Sequence, residues 1–473
     1  MSLSRLWAFL AVALPTLAAL IATLQTVDLA YHLRAGGEIL DTGTIPSVDA
    51  WTFTASGAPW TDQQWGAQVI LAAGYRIGGW TGLVLLRAVL VAFIFGCLFE
   101  IARRQSLGLR RASWLALAAF IVSAAALSLR PQLFGMALFA GVLLLISDRR
   151  AHPGRLRAIP LIVLIWANVH GSFFLGPLVL GLAWLEDLHQ RIERPHRALL
   201  VGVVSAAAAC LTPFGVGVWT YAVGLSSNPE VTRRITEWQP TSLGDVPGIL
   251  FFSSALIVAA MIVRRGRSTP WPTLIWLGVF FVVGAYAARG IAWWPLAAVG
   301  AIAGTLVTGP RTVRAEPAGP SLMRRLNASV AALVVLAGIA LLPAWRPVDD
   351  AIGAPAGVIA NAPPGITAAL RDLARPGDRL LNPQQWGSWF EFALPEIPVA
   401  IDSRIELFPP EVWRGYDLVT TGGPGWDVQL AAWDPSVAVV AAEDEALADR
   451  LTANRWRSVY ADADGSILVA PDR

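Results

Sequence analysis

Residues 6–24, LWAFLAVALPTLAALIATL, and the QTVDLAYHLRAGG that follows at 25–37 decide how the chain is built. The first run carries no charge and matches a bilayer core of roughly 30 Å, which takes about 20 helical residues to cross. Asp28 then sets an ionisable carboxylate at the membrane edge, next to Tyr31 and His32. A carboxylate at that depth is costly and marks a site more often than an ordinary surface position does. The stretch 28–66, DLAYHLRAGGEILDTGTIPSVDAWTFTASGAPWTDQQWG, is polar, aromatic and loop-like, and too long for a plain connector. It reads as a first outer loop that carries a reaction site. Only Arg5 precedes the apolar run, and no small-residue cleavage site separates it from Asp28, so a retained signal-anchor with a cytoplasmic start is expected.

Composition agrees with this opening. Hydrophobic residues make up 55% of the chain, charged residues 15%, and the mean hydropathy is +0.55, values of a polytopic helical membrane protein. All 36 basic residues are Arg, which excludes a Lys Schiff base and a Lys-bearing phosphate loop, and points to a GC-rich bacterial genome. Cys97 and Cys210 both lie in apolar stretches and read as small buried hydrophobes, not as a disulfide or zinc framework. The net charge of +3 gives no basic surface for nucleic acid.

The arginines orient the chain, because cytoplasmic loops collect positive charge. Segment 64–80 contains Arg76 and four Gly, and is expected to lie on the outer surface as a helix. Spans are then placed at 83–101, 113–129, 133–146, 159–169, 173–185, 199–212, 249–263, 274–287, 291–307 and 330–342, about eleven with the first. RRQSLGLRR after Ile101, SDRRAHPGRLR after Ile146, EDLHQRIERPHR after Leu185, RRGR after Val263 and segment 311–325 all fall on one side. TGPRTVRAEPAGP (308–320) within that last segment reads as a flexible cytoplasmic loop. On the other side fall the Asp28 loop, the turns at Arg130, His170 and Arg289, and the stretch 211–240 with Glu237.

Past Trp345 charges, prolines and short alternating runs return, which makes 346–473 a small α/β domain on the outer side. Strands are expected at 379–381, 399–401, 437–440 and 467–469, with a helix at 444–453. QQWGSWFEF and IDSR (401–404) are its most distinctive pieces, and core packing and turn formation account for them as readily as function does. The domain scheme is therefore 1–345 in the membrane, with 28–80 as outer loop and surface helix, and 346–473 outside it.

These residues carry a family resemblance. The pattern D-x-x-Y-H-L, G-x-I-P-x-x-D, T-x-x-G-x-P-W and Q-W after the first span resembles the GT-C superfamily of membrane glycosyltransferases, which includes protein mannosyltransferases, aminoarabinose transferases and oligosaccharyltransferases. The order SLRPQLFG, WANVHGSFFLG, LTPFG, EWQP, ARGIAWWP, WGSWFEF and IDSR is similar to that of bacterial membrane proteins grouped there, and extends the likeness over nearly the whole chain. The resemblance implies a GT-C-like fold, a catalytic Asp in the first outer loop at Asp28, and a donor sugar on polyprenyl phosphate. The acceptor would be a glycan, lipid or protein, and the location a bacterial inner membrane. Val27 and Leu29 flank Asp28, so the adjacent acidic pair of better-known members is absent, and metal use stays open.

A mechanism follows from the residue types. A sugar on a lipid phosphate already has a good leaving group, so transfer needs a base for the acceptor hydroxyl and positive charge for the phosphate. Asp28 is the expected base, and attack by the acceptor would invert the anomeric centre. Arg130 and Arg289 suit bidentate phosphate binding, with His170, Asp49 and Glu237 as further substrate-binding candidates. Asp28, His32 and His170 are the candidate ligands of a divalent metal, and no other cofactor is expected. Two alternatives use the same residues: a secondary transporter or flippase of envelope precursors, for which no inverted repeat is evident, and an inactive envelope-assembly scaffold.

Overall fold

The computed structural model describes residues 1–105, 107–306 and 320–473. Ser106 in RRQSLGLRR, the end of span 291–307 and most of segment 311–325, with the expected cytoplasmic loop at 308–320 up to residue 319, lie outside the described residues. The described chain forms two compact units.

The first unit comprises Met1–Ala22, Val84–Ser227 and Ile235–Leu342 and is helical. Among the described residues six helices are long and apolar enough to cross a membrane: Leu3–Ile21, Trp65–Arg104, Leu109–Ala126, Gly171–His189, Val246–Ser268 and Ser321–Ala340. Pro131–Ser147, His196–Ala208 and Trp271–Tyr286 are apolar but shorter. Leu256, Ile257 and Val263 on the helix Val246–Arg265 are 71%, 63% and 78% exposed. A helix this apolar on its exposed face is stable only with lipid against it. Its ends are set locally: Asp245 accepts from the Gly248 amide at 2.7 Å, Gly266 turns the chain at φ 56°, and Arg264 and Arg265 sit at the negative end of the helix dipole. A Cβ on Gly284 would lie 2.5 Å from the Phe251 ring, so the helices Val246–Arg265 and Trp271–Tyr286 approach closely through a glycine, as membrane helices do.

The second unit comprises Thr23–Leu83, Asn228–Arg234 and Pro343–Arg473. Its four-stranded sheet runs Leu380–Leu381, Val437–Ala441, Gly465–Val469, Arg457–Ala461, the first pair parallel and the others antiparallel. The helix Glu445–Ala453 packs Leu447 and Leu451 onto Leu381, Ala438, Val440 and Leu468. Strands expected at 437–440 and 467–469 and the helix at 444–453 are present, while 399–401 contributes single bridges from Val399 to Thr52 and Leu380. Sequence reasoning missed the strand Arg457–Ala461, whose residues are mostly exposed and show no apolar alternation.

The segment after Asp28 begins as a helix and becomes irregular only past Thr42. Thr26–Thr42 is a helix, with Leu29, Ala30, Leu33, Gly36 and Ile39 on its buried face and Gly43 closing it at φ 69°. Gly36 and Gly37 hid that period in the sequence, yet Gly36 is what the packing requires, because a Cβ there would come within 2.0 Å of the Gln68 carbonyl oxygen. The next helix, Trp65–Arg104, breaks at Gly79 (φ 56°), which separates segment 65–78 from the apolar run after it. Part of the stretch 211–240 is helical as well, at Gly217–Ser227 and Pro229–Arg234.

Candidate functional site

Asp28 occupies the first turn of the helix Thr26–Thr42, where the positive end of the dipole favours a carboxylate, and it is half-buried. Its backbone is fixed from both sides. Thr26 Oγ1 lies 2.7 Å from the carbonyl oxygens of Ala360 and Asn361, and Ser403 Oγ donates to the Val27 carbonyl at 2.8 Å. His32 is buried on the same helix, its ring 4.0 Å from that of Tyr31.

Around this turn the second unit collects acids. Asp49, Glu391 and Asp402 converge on Arg404, at 2.8, 3.3 and 2.5 Å, with all four side chains 0–1% exposed. The guanidinium lies between Trp51 and Trp60, 4.3 and 4.6 Å from their ring centres. Burial alone would make Arg404 less basic, but Asp402, Glu391 and Asp49 outweigh it and keep it charged. Burial, then the Asp402 charge, pushes Glu391 well above the usual carboxylate range, opposed by the Arg404 charge. Asp49 also closes its own turn, accepting from the Thr52 hydroxyl at 2.6 Å. Asp62 accepts from Gln68 Nε2 at 2.6 Å, and its other carboxyl oxygen has no partner among the described residues. Burial pushes Asp62 up to about 7, opposed by the Gln68 hydrogen bond and Arg404. Loss of surrounding water also raises Glu406, and the charges of Asp402 and Asp28 add to it.

The first unit gathers most of the other expected residues. Arg130 immediately precedes the helix Pro131–Ser147, and Pro131 at its first position leaves one amide fewer to satisfy. Arg130 Nη2 donates to Glu237 Oε1 at 2.6 Å, while Glu237 Oε2 is buried without a partner among the described residues. The guanidinium of Arg289 lies 5.5 Å from the ring centre of Trp238, and Gln132 Nε2 donates to the Arg289 carbonyl at 3.3 Å. Gln132 Oε1 is likewise buried without a partner among the described residues. His170 Nδ1 accepts from the Ser172 amide at 3.2 Å and lies 2.7 Å from Ser172 Oγ, which accepts from Trp166 Nε1 at 3.1 Å. The chain of donors assigns the neutral imidazole proton to Nε2. Gly135, just over one turn into the helix from Arg130, faces this group: a Cβ there would meet Ser172 Oγ at 3.0 Å and His170 Nδ1 at 3.3 Å.

Arg130, Arg289 and Glu237 are thus joined through Gln132 and Trp238, with His170 packed on the same helix. Asp49 joins the Arg404 cluster. Of the candidate metal ligands, Asp28 and His32 belong to the second unit and His170 to the first, and no group of three or more His, Cys, Asp or Glu that could hold a metal is found among the described residues. Sequence reasoning missed Asp62, Glu391 and Glu406 as ionisable neighbours of Asp28 and Arg404. IDSR was a visible signal for Asp402 and Arg404, but nothing local marked their partners.

No family model and no curated protein matches the chain. Solved structures do. Archaeal oligosaccharyltransferase AglB from Archaeoglobus fulgidus, solved in complex with an inhibitory peptide and a dolichol-phosphate, is similar with a TM-score of 0.58 at 12% identity, over 93% of this chain and 69% of that one. The apo form of an oligosaccharyltransferase from the same organism gives a TM-score of 0.56 at 14% identity over the same shares. The chain has a fold like that of these two structures.

Proposed function

We propose that the chain is a membrane glycosyltransferase that moves a sugar from a polyprenyl-phosphate carrier to an acceptor hydroxyl or amide of a glycan, lipid or protein. The observation that carries this reading is the likeness of 93% of the chain to an oligosaccharyltransferase that was solved with a dolichol-phosphate. Asp28 takes the acceptor proton as its oxygen or nitrogen bonds to the anomeric carbon, and the bond from that carbon to the phosphate oxygen breaks. The electron pair leaves on the lipid phosphate, whose charge Arg130 and Arg289 neutralise. The unpartnered oxygens of Glu237 and Gln132 support a binding role, since buried polar groups without partners are uncommon outside sites.

In this reading the shorter apolar helices complete about eleven crossings, with the N-terminus on the arginine-rich cytoplasmic side of a bacterial inner membrane and residues 346–473 on the opposite side. The test is release of polyprenyl phosphate from a panel of lipid-linked sugars by purified protein. Asp28→Asn is expected to lose more than about a hundredfold, the upper part of a general base's usual contribution. Equal release by both proteins would remove Asp28 from the reaction, and no release from any donor by well-folded protein would favour the transporter or the scaffold.

A further inference from the structure

QQWGSWFEF (384–392) and IDSR (401–404) stand out in the C-terminal region, and each contributes one serine to a short relay that ends on the backbone of Asp28. The relay has one direction. Ser403 Oγ gives its proton to the Val27 carbonyl at 2.8 Å, so at the 2.9 Å contact between the two hydroxyls Ser388 Oγ is the donor. The Ser403 amide donates back to Ser388 Oγ at 3.4 Å. Both ends of the relay are held. Ser388 is 1% exposed and follows Gly387, where a Cβ would come within 2.0 Å of the Ile401 carbonyl oxygen, so the helix Gln384–Ala393 approaches residue 401 closely. Ser403 lies between Asp402 and Arg404, which are paired with each other and fully buried.

The atom on which the relay ends is what gives it a use. The Val27 carbonyl belongs to the peptide group whose nitrogen is that of Asp28, and because the peptide is planar, holding its oxygen holds the backbone that leads into Asp28. The helix Thr26–Thr42 has no side-chain cap of its own, since Gln25 makes no capping hydrogen bond, and helix ends of this kind fray. Thr26 ties the start of the turn to Ala360 and Asn361, one peptide too early to fix Asp28 itself. Ser403 ties the next peptide, from 376 positions away in the chain.

We infer that Ser403, held by Ser388, is a positioning residue for the transfer reaction: it fixes the peptide plane that leads into Asp28 and so aims the carboxylate at the acceptor. This role rests on Asp28 being the base. A displacement of about 1 Å in a reacting group costs on the order of a hundredfold in rate, whereas one hydrogen bond between neutral groups adds little to the stability of a whole chain. Loss of the Ser403 hydroxyl therefore shows in turnover far more than in folding.

The experiment has two readouts on the full chain purified in detergent. Hydrogen exchange over the helix start is read first, and the amides that close the first turn of Thr26–Thr42 should exchange severalfold faster in Ser403→Ala but not in Ser403→Thr, which keeps the hydroxyl. Unchanged exchange in Ser403→Ala would overturn the tie whatever the turnover. Polyprenyl phosphate release is then measured well below the unfolding midpoint. Its kcat should fall about tenfold in Ser403→Ala with KM within about twofold, fall about threefold in Ser388→Ala, which leaves the Ser403 bond in place, and recover in Ser403→Thr. Because Ser403 acts through Asp28, adding Ser403→Ala to Asp28→Asn should change release by less than about twofold. The same tenfold fall in both backgrounds would make the bond merely structural, and full turnover by Ser403→Ala where Asp28→Asn is inactive would overturn its role in the reaction. Full turnover by Asp28→Asn is the separate outcome that overturns Asp28 as the base, and this role with it.

Discussion

Two arginine clusters in this molecule are built in opposite ways. Arg404 is 1% exposed, met by three carboxylates and enclosed by two tryptophan rings. Arg130 is 16% exposed and pairs with a Glu237 that is 37% exposed, while Arg289 rests against one ring. A fully enclosed network is costly to desolvate and holds only if every partner stays, so it specifies one arrangement of the chain. A pair that is only partly buried is less tightly fixed and can exchange its partner for a substrate phosphate. Burial, not residue type, divides the structural arginine from the candidate binding ones.

The largest break in this comparison comes from Arg404→Met. Removing the cation leaves buried acids without their partner, and a loss of about 3–5 kcal/mol is expected, as for other broken buried pairs. Thermal unfolding of purified protein reads it, and a variant as stable as wild type would show that the network does not hold the unit together. Arg404→Lys should recover little, since an ammonium cannot replace a planar fork between two rings.

Next in size is a pH effect at Asp62. Its folded pKa of about 7 lies above the unfolded value of 3.8, so the folded state binds more protons between them. Stability then falls as pH rises from about 4 to 7 and is level above, with Asp62 contributing up to about 4 kcal/mol of that fall. Glu391 and Glu406 are raised too and act in the same direction. Asp62→Asn should flatten the profile by its own share in unfolding midpoints measured at pH 5, 6, 7 and 8. An unchanged slope would show that Asp62 is not the buried acid described here.

The open cluster should show the reverse pattern. Arg130→Gln and Arg289→Gln are each expected to slow polyprenyl phosphate release about 10- to 100-fold by weakening stabilisation of the leaving group, with unfolding midpoints little changed. Lost stability with full turnover would place these residues with Arg404. The smallest effect is at Ser172→Ala, which removes one hydrogen-bonding partner of His170 and should cost about 1 kcal/mol in unfolding. Loss of turnover beyond that found for Arg130→Gln would make His170 the more important of the two.

Legibility differed by residue. Arg130, Arg289 and His170 stood out because a cation or imidazole between apolar runs is costly, and a run of sequence displays that cost directly. Asp28 stood out likewise, although its segment read as a loop: two glycines masked the period of Thr26–Thr42, and their use emerged only in the close approach of Gly36 to Gln68. Asp62 looked like any loop carboxylate. Its raised pKa depends on the atoms packed around it, and no local pattern reports those.

The sequence by itself determined that this is a membrane protein of many helices, which end bears the arginines, and that a region with short strands follows residue 345. Those properties come from hydropathy and charge over neighbouring residues, where the bilayer and the period of an element act directly. Only the tertiary structure decided that residues 23–83 fold with 343–473, and that Arg404 gathers Asp49, Glu391 and Asp402. Asp49 and Arg404 are 355 positions apart. Desolvation and charge pairing act through space, so their effects exist only once the chain has closed around them.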